Sequence, residues 1–420
     1  MKYRRLIADL HIHSKYSRAC SKLLEPANLA TWADKKGIGL LGTGDFLHGK
    51  WLEDLHALHE VREGVYGIGS SKCEFIYTTE IASIYKQGEK VRRIHNLIFA
   101  PSRTAAENLR QRLKDRGCNL DSDGRPITGV KSEELVKICK DVDERIEIIP
   151  AHAWTPHFGV FGSLSGFDTL EQAFGEMTKY IFAIETGLSS DPEMNRLIAA
   201  HDNLTLISNS DPHSLSRLGR EANVFELPKN FTYDSIIELL KSRDPNRFLY
   251  TIEYFPEEGR YHYDGHADCK VSMHPLQAKK IEGICPKCGK KLLRGVLARI
   301  VDLSDRTSPE IPSNLIPYRN MIPLEEIIAE VKGVGVASKK VKAEYDRTIA
   351  IDNEFAILLD YPAEELTKIG GEIFALAVQR VRNKEVKIKP GYDGEYGKIQ
   401  IFSQEERESL SLKPKQQSLF

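Results

Sequence analysis

The stretch "DLHIHSKYS", residues 9–17, decides how the chain folds. It follows the apolar run Leu6-Ile7-Ala8, so a first strand ends in His11 and His13. Side chains two apart on a strand leave it on the same side. Two imidazoles that point together are either a metal-ligand pair or a coincidence. Recurrence of ligand-type residues at later strand ends decides between the two.

Such residues do recur. Through the first 255 residues or so, β-rich runs alternate with helical patterns. The runs are "RRLIADLHI", "GIGLLGTGD", "KCEFIYTTEIASIY", "RIHNLIFAP", "EIIPAHAW", "YIFAIETG", "LTLISNSDPH" and "ANVFEL". Helices are expected at "PANLATWADKKG", "RTAAENLRQRLKDRG" and "SEELVKICKDV". Repeated strand–helix units imply a parallel sheet or barrel, whose chemistry gathers at the C-terminal strand ends. Asp45 ends the second run, Glu80 falls in the third and His95 in the fourth. His152 ends the fifth, Glu185 closes "YIFAIE", and Asp211 and His213 end a later one. Mixed histidine and carboxylate donors suit zinc, manganese or iron. Ions bridged by a carboxylate activate a hydroxide and clamp the oxygens of an in-line displacement at phosphorus.

A chain of 420 residues is long for one core, and two or three domains are expected. With 41% hydrophobic and 28% charged residues it has the composition of a soluble globular protein. No apolar run approaches a membrane span, so no membrane partner is expected. Seven irregularly spaced cysteines, two of them in a CxxC, suit a reducing cytosol. The net charge is −1, yet Lys and Arg cluster from about residue 270 onward, a modest pointer to nucleic acid.

The motifs "DLHIHSKYS", "GTGDF", "TTE", "IHN", "PAHAW" and "SNSDPHS" resemble, in order, those of the PHP phosphoesterases (polymerase and histidinol phosphatase). The resemblance covers residues 1 to about 250. It implies an α/β fold, a distorted (β/α)7 barrel with a trinuclear metal site. By motif, His11 and His13 match the HxH pair, Glu80 the bridging glutamate, His95 and His152 the middle histidines, and Asp211 and His213 the closing DxH. Catalysis is assigned on this basis to Asp211, His213, Glu80 and His152, and metal binding to the whole set with Asp45. Two departures stand out. Thr43-Gly44-Asp45-Phe46 replaces Thr-Asp-His, so Asp45, or else His48, takes the place of a histidine ligand. Ser17 to Cys20 occupy the region where a further histidine often stands.

Beyond the barrel (1–255), a zinc-binding module is expected at 256–305, a helical domain at 306–400 and a tail at 401–420. Cys285 and Cys288 form a knuckle, and His266 with Cys269 repeats its two-residue gap. These four are the expected ligands of a structural Zn2+, with His274 an alternative to His266. "LEEIIAEVKGVGVASKKVKAEY" reads as helix, Gly-Val-Gly turn, helix, and "ELTKIGGEIFALAVQRVR" repeats the pattern. Gly333, Gly335, Lys339, Lys340, Gly370 and Gly371 resemble helix-hairpin-helix contacts to a DNA backbone. The terminal "KQQSLF" places Gln416, Leu419 and Phe420 as a partial sliding-clamp-binding (PCNA-type) motif.

The combination is similar to the endonuclease Q family, mainly archaeal repair enzymes, across essentially the full chain; "ETGLSSDPEMN" and "VDLSDR" fit that family too. It implies cleavage of the phosphodiester 5′ to deaminated bases (hypoxanthine, uracil, xanthine) and abasic sites in double-stranded DNA. Zn2+ is the expected barrel metal, with Mn2+ or Mg2+ able to serve in activity, and the expected location is the cytoplasm, at the nucleoid. Reading the base requires flipping it into a pocket. Phe158 and Phe161 in the loop "TPHFGVFGSLSG", with Asn195 in "GLSSDPEMN", are the expected pocket walls. The alternatives are a histidinol-phosphatase-like small-molecule phosphatase or a non-specific exonuclease. The phosphatase leaves some 165 residues without a purpose.

Overall fold

Leu6 and Ala8 join one hydrophobic cluster while Ile7 between them joins another, as alternation along strand Tyr3–Asp9 dictates. The first cluster also takes Leu40, Ile76, Leu97, Ile149, Ala183 and Ile207. Each belongs to a different strand: Leu40–Gly42, Glu74–Gln87, Lys90–Ala100, Glu147–Pro150, Ala183–Glu185 and Thr205–Ile207. Seven strands therefore wrap one interior, in a computed structural model that describes residues 3–308 and 315–410.

The barrel is not uniformly parallel. Tyr3–Asp9, Leu40–Gly42 and Glu74–Gln87 run parallel, but Lys90–Ala100 is antiparallel to both its neighbours. Gln87 pairs with Lys90 across the two-residue loop Gly88-Glu89, and so short a loop can only reverse the chain. The parallel order implied by strand–helix alternation holds for the first three strands and is broken at this hairpin, one source of the barrel's distortion. The ring closes through side chains as well as ladders. Asn209 Oδ1 accepts from the Leu10 N–H at 2.8 Å, and Asp9 Oδ1 from the Ser210 N–H at 3.0 Å.

Ala222–Pro228 lies antiparallel to the first strand and carries Phe248–Glu253 on its other side. The chain then leaves the sheet, builds the cysteine module, and returns. Tyr318–Asn320 adds a parallel strand to Phe248–Glu253, with Thr251 opposite Tyr318. The helices Leu324–Lys332, Lys339–Ile349, Ala363–Gly370 and Glu372–Arg382 follow. Their Ile327, Val341, Leu366 and Val378 share the large cluster that also holds Ile7 and Trp51 of the barrel. Lys36, at the end of the first helix, pairs with Glu354 at 2.8 Å with both side chains buried. Removing one partner of such a pair costs about 3–5 kcal/mol. No helix among the described residues is long and apolar enough to cross a membrane.

Candidate metal centre

Glu80 and His95 meet because of the hairpin. Glu80 opposes Leu97, so His95, two residues earlier, sits diagonally on the same face. His95 Nδ1 lies 2.6 Å from Glu80 Oε1, and His152 Nε2 lies 3.0 Å from the same oxygen. Glu80 Oε2 turns the other way, 3.4 Å from His13 Nε2 and 3.7 Å from His11 Nε2. Asp211 Oδ1 stands 2.9 Å from His13 Nε2 and 3.9 Å from His11 Nε2. Two sets of donors result, His11–His13–Asp211 and Glu80–His95–His152, each within 4.8 Å. Glu80 links them.

The far nitrogens of the rings are held by carboxylates. His11 Nδ1 is 3.0 Å from both oxygens of Glu185, which also accepts the His152 N–H at 2.7 Å and the Asn209 amide at 2.9 Å. His13 Nδ1 is 3.0 Å from Asp45 Oδ1. Such partners fix the ring and its tautomer so that Nε2 faces the metal. Glu185→Gln is expected to weaken metal binding about 10–100-fold and also to lower the melting temperature of the metal-free protein, because its amide nitrogen must face the His152 N–H or the Asn209 amide, as a metal titration beside a thermal melt would show.

Asp45 is therefore corrected from ligand to orienting group. Its Oδ1 is turned to His13, its Oδ2 accepts from the Ser14 N–H and Oγ at 2.6 Å and from Ser17 Oγ at 2.8 Å, and it belongs to neither donor set. His48 is no substitute. It accepts from the Trp51 N–H and stacks on Tyr16 at 4.5 Å, outside both sets. His213 stands on the rim, half-exposed, with Nε2 3.9 Å from Asp211 Oδ1. Asp45, His152 and Asp211 all hold left-handed backbones, at φ of 48°, 29° and 42°. Strain of this kind persists where surrounding structure overrides it, commonly at sites.

Burial alone would raise the carboxyls, yet His95 and Arg125 hold Glu80 well below its usual value, and His11 and His13 do the same for Asp211. Burial lowers the His13 imidazole, and Asp45 with Asp211 more than reverse this, to about 9. Burial wins at His95, which falls to about 4. Carboxylates thus outnumber what the histidines neutralise around His11 and His13, the condition a divalent cation satisfies. His11 Nε2, His13 Nε2 and Asp211 Oδ1 are moreover buried without a hydrogen-bond partner among the described residues. The donors fit metal ions. Arg125, with Nη1 3.1 Å from Glu80 Oε2, escaped the sequence reading, because a lone loop arginine carries no periodic signal.

In the cysteine module, His266, Cys269, Cys285 and Cys288 gather within 4.8 Å. His274 instead caps helix Pro275–Lys280 through the Leu276 N–H. Burial raises the Cys285 thiol, but the N–H groups of Lys287 and Cys288 bring it to about 7, close to the thiolate a metal needs. Among the described residues Val271, Ala278, Cys285 and Leu292 form this module's small buried core, with Met273 and Ile281 packed against it.

Of the expected pocket walls, Phe158 is half-buried, stacks on His95 at 4.3 Å, and holds φ of 69°. Phe161 is 1% exposed and packs on Trp154 and His201; its backbone carbonyl accepts from Arg299. Asn195 is buried, with its amide donating to Asp191 O and its oxygen accepting from the Trp154 indole. Neither has a free face for a base, and both assignments are corrected to core roles. Gly333 (φ 64°) ends helix Leu324–Lys332, and Lys339 and Lys340 are exposed in the first turn of the next helix, capped by Ser338. Gly335 and Gly371 are open to solvent, while Gly370 packs against the Phe374 ring. Gln416, Leu419 and Phe420 lie outside the described residues.

A family model described as the MJ0043 C-terminal domain matches residues 323–385. The uncharacterized protein MJ0043 of Methanocaldococcus jannaschii is 32% identical over 252 residues, which are 59% of this chain but only 31% of that protein. The uncharacterized protein YqxK of Bacillus subtilis is 27% identical over 94% of this chain and 99% of its own length. The crystal structure of the lesion-specific endonuclease PfuEndoQ from Pyrococcus furiosus is 33% identical and superposes with a TM-score of 0.84, covering 98% of this chain and 100% of that one. An endonuclease Q complex with a 27-mer duplex bearing an abasic lesion at the active site is also 33% identical, with a TM-score of 0.85 over 96% and 98%. Sharing a third of its residues with these enzymes along their whole length, the chain belongs to the endonuclease Q family.

Proposed function

We propose that this protein is a metal-dependent DNA repair endonuclease that nicks duplex DNA 5′ to deaminated bases and abasic sites. The observation that carries the proposal is the buried carboxylate of Glu80, shared between two sets of metal donors at one barrel edge. The related complex with an abasic duplex at its active site supports the substrate. When bound, divalent ions activate the nucleophile and neutralise the charge of an in-line displacement at phosphorus. The chain's own residues set the geometry. Glu80 fixes the spacing of the two sets, Glu185 and Asp45 orient His11 and His13, and Asp211 closes the first set. His213, on the rim beside Asp211, faces the incoming strand, and His152 is steadied by Thr155 Oγ1 at 2.8 Å. Zn2+ is the proposed resident ion, with Mn2+ or Mg2+ able to serve.

The remaining parts engage the duplex. The exposed Lys339 and Lys340 with the open glycines at 335 and 371 grip its backbone, and the exposed lysines of the zinc module flank it. The C-terminal Gln416, Leu419 and Phe420 recruit a sliding clamp, which places the enzyme at the nucleoid. The damaged base leaves the stack and rests against Phe158, whose ring already stacks on His95, tilted by 29°, at the edge of the centre. Base–aromatic stacking is worth about 1–3 kcal/mol, so Phe158→Ala should reduce preference for inosine over adenine about 10-fold. Competition between the two duplexes measures this.

The deciding experiment incubates a labelled duplex carrying one inosine with protein and divalent metal, beside histidinol phosphate. A nick on the 5′ side of the inosine is expected. Phosphate release from the small ester without a nick would overturn the proposal.

A further inference from the structure

The segment between helices Arg103–Asp115 and Ser132–Val142 is pressed against the metal centre. The Gly124 N–H donates to Tyr16 O at 3.1 Å. A Cβ on Gly124 would lie 2.3 Å from Asp45 Oδ2 and 2.4 Å from Ser17 Oγ, so only glycine lets the loop come this close. Asp123 Oδ1 accepts the backbone N–H groups of Arg18 at 3.2 Å and Arg125 at 3.1 Å. Pro126 O accepts the Ala82 N–H at 2.9 Å. The backbone is thus anchored on both sides of Arg125.

From this mount the Arg125 side chain reaches Glu80, Nη1 to Oε2 at 3.1 Å. Glu80 is fully buried, whereas 26% of the Arg125 side chain is open, so the guanidinium lies between the linking carboxylate and the mouth of the site. A guanidinium has five N–H groups. Among the described residues only this one donates to a side chain, and the rest of the fork has no protein partner. Arg125 is not the sole polar neighbour of Glu80, since four imidazoles surround the same carboxylate. Cations held by Glu80 would weaken its pull on Arg125 further. A planar fork with unused donors at the mouth matches two oxygens of a phosphate group.

We propose that Arg125 grips the non-bridging oxygens of the phosphodiester being cut, exchanging Glu80 for the substrate as it enters. The proposal rests on the centre being a phosphodiesterase, and the test separates the two. Arg125→Ala and Arg125→Lys are compared with wild type for metal content, for binding of inorganic phosphate by calorimetry, and for kcat and KM on the inosine duplex and on bis(4-nitrophenyl) phosphate. Loss of one preorganised donor to a developing oxyanion lowers kcat about 10²–10³-fold, and this is expected for Arg125→Ala at unchanged metal content, with phosphate affinity reduced in parallel. Arg125→Lys should recover part of the loss, and guanidinium ion added to Arg125→Ala should raise its rate. Wild-type kcat and phosphate affinity in Arg125→Ala would overturn the proposal while leaving the nuclease assignment intact. Loss of metal along with activity would overturn it too, since Arg125 would then only hold Glu80. Were wild type to cut neither diester while Arg125→Ala still bound phosphate more weakly, the nuclease assignment would fall and the phosphate grip would stand.

Discussion

Glu80→Gln is expected to lower the rate of nicking about 10³-fold or more and to reduce the metal held per chain in both donor sets. The substitution keeps the shape of the side chain and removes only its charge. That charge faces His95 and His152 through Oε1, and His11, His13 and Arg125 through Oε2. An amide leaves those cationic or metal-bound partners buried without their anion, the situation in which broken buried pairs cost most. Elemental analysis and single-turnover nicking measure the two effects together. A variant that kept both its metal and its rate would show that the two sets work without a shared carboxylate.

Cys285→Ser is the second large effect. Structural zinc sites contribute about 10–16 kcal/mol of apparent binding energy to small modules. Here the buried apolar core of the module is four residues among those described, one of them Cys285 itself. The variant should lose one metal per chain and its hydrogen-exchange protection across residues 264–293, while the barrel melts normally. Cleavage of the inosine duplex should fall at least about 10-fold, but hydrolysis of a small diester should persist, because the barrel donors are untouched. Equal loss on both substrates would mean that the module supports the barrel rather than the DNA.

The seven barrel strands and most of the donors were legible because strand alternation and edge position leave a mark every two residues. His11 and His13 are the clearest case. Strand direction was harder to see. The hairpin at Gly88-Glu89 lies in the short polar stretch between two β runs, and the alternation with helices elsewhere masked it. Asp45 shows a different limit. A ligand and the carboxylate that orients a ligand occupy the same kind of position, and they differ only in whether both oxygens are already taken. Phe161 and Asn195 sit in segments that look like open loops, yet Trp154 covers both. Arg125 carries no sequence mark because its place depends on how closely Gly124 approaches Asp45.

The return of the chain to the barrel sheet has a mechanical consequence. Because Tyr318–Asn320 is laced to Phe248–Glu253, and Arg5 to Asp360, the C-terminal helices do not swing on a tether. Under the grip proposed above, the span from those helices to the metal centre acts as a fixed ruler. On that proposal the offset between the lesion and the broken bond is set by the scaffold, and inserting residues between positions 308 and 315 should leave the nick at the same nucleotide.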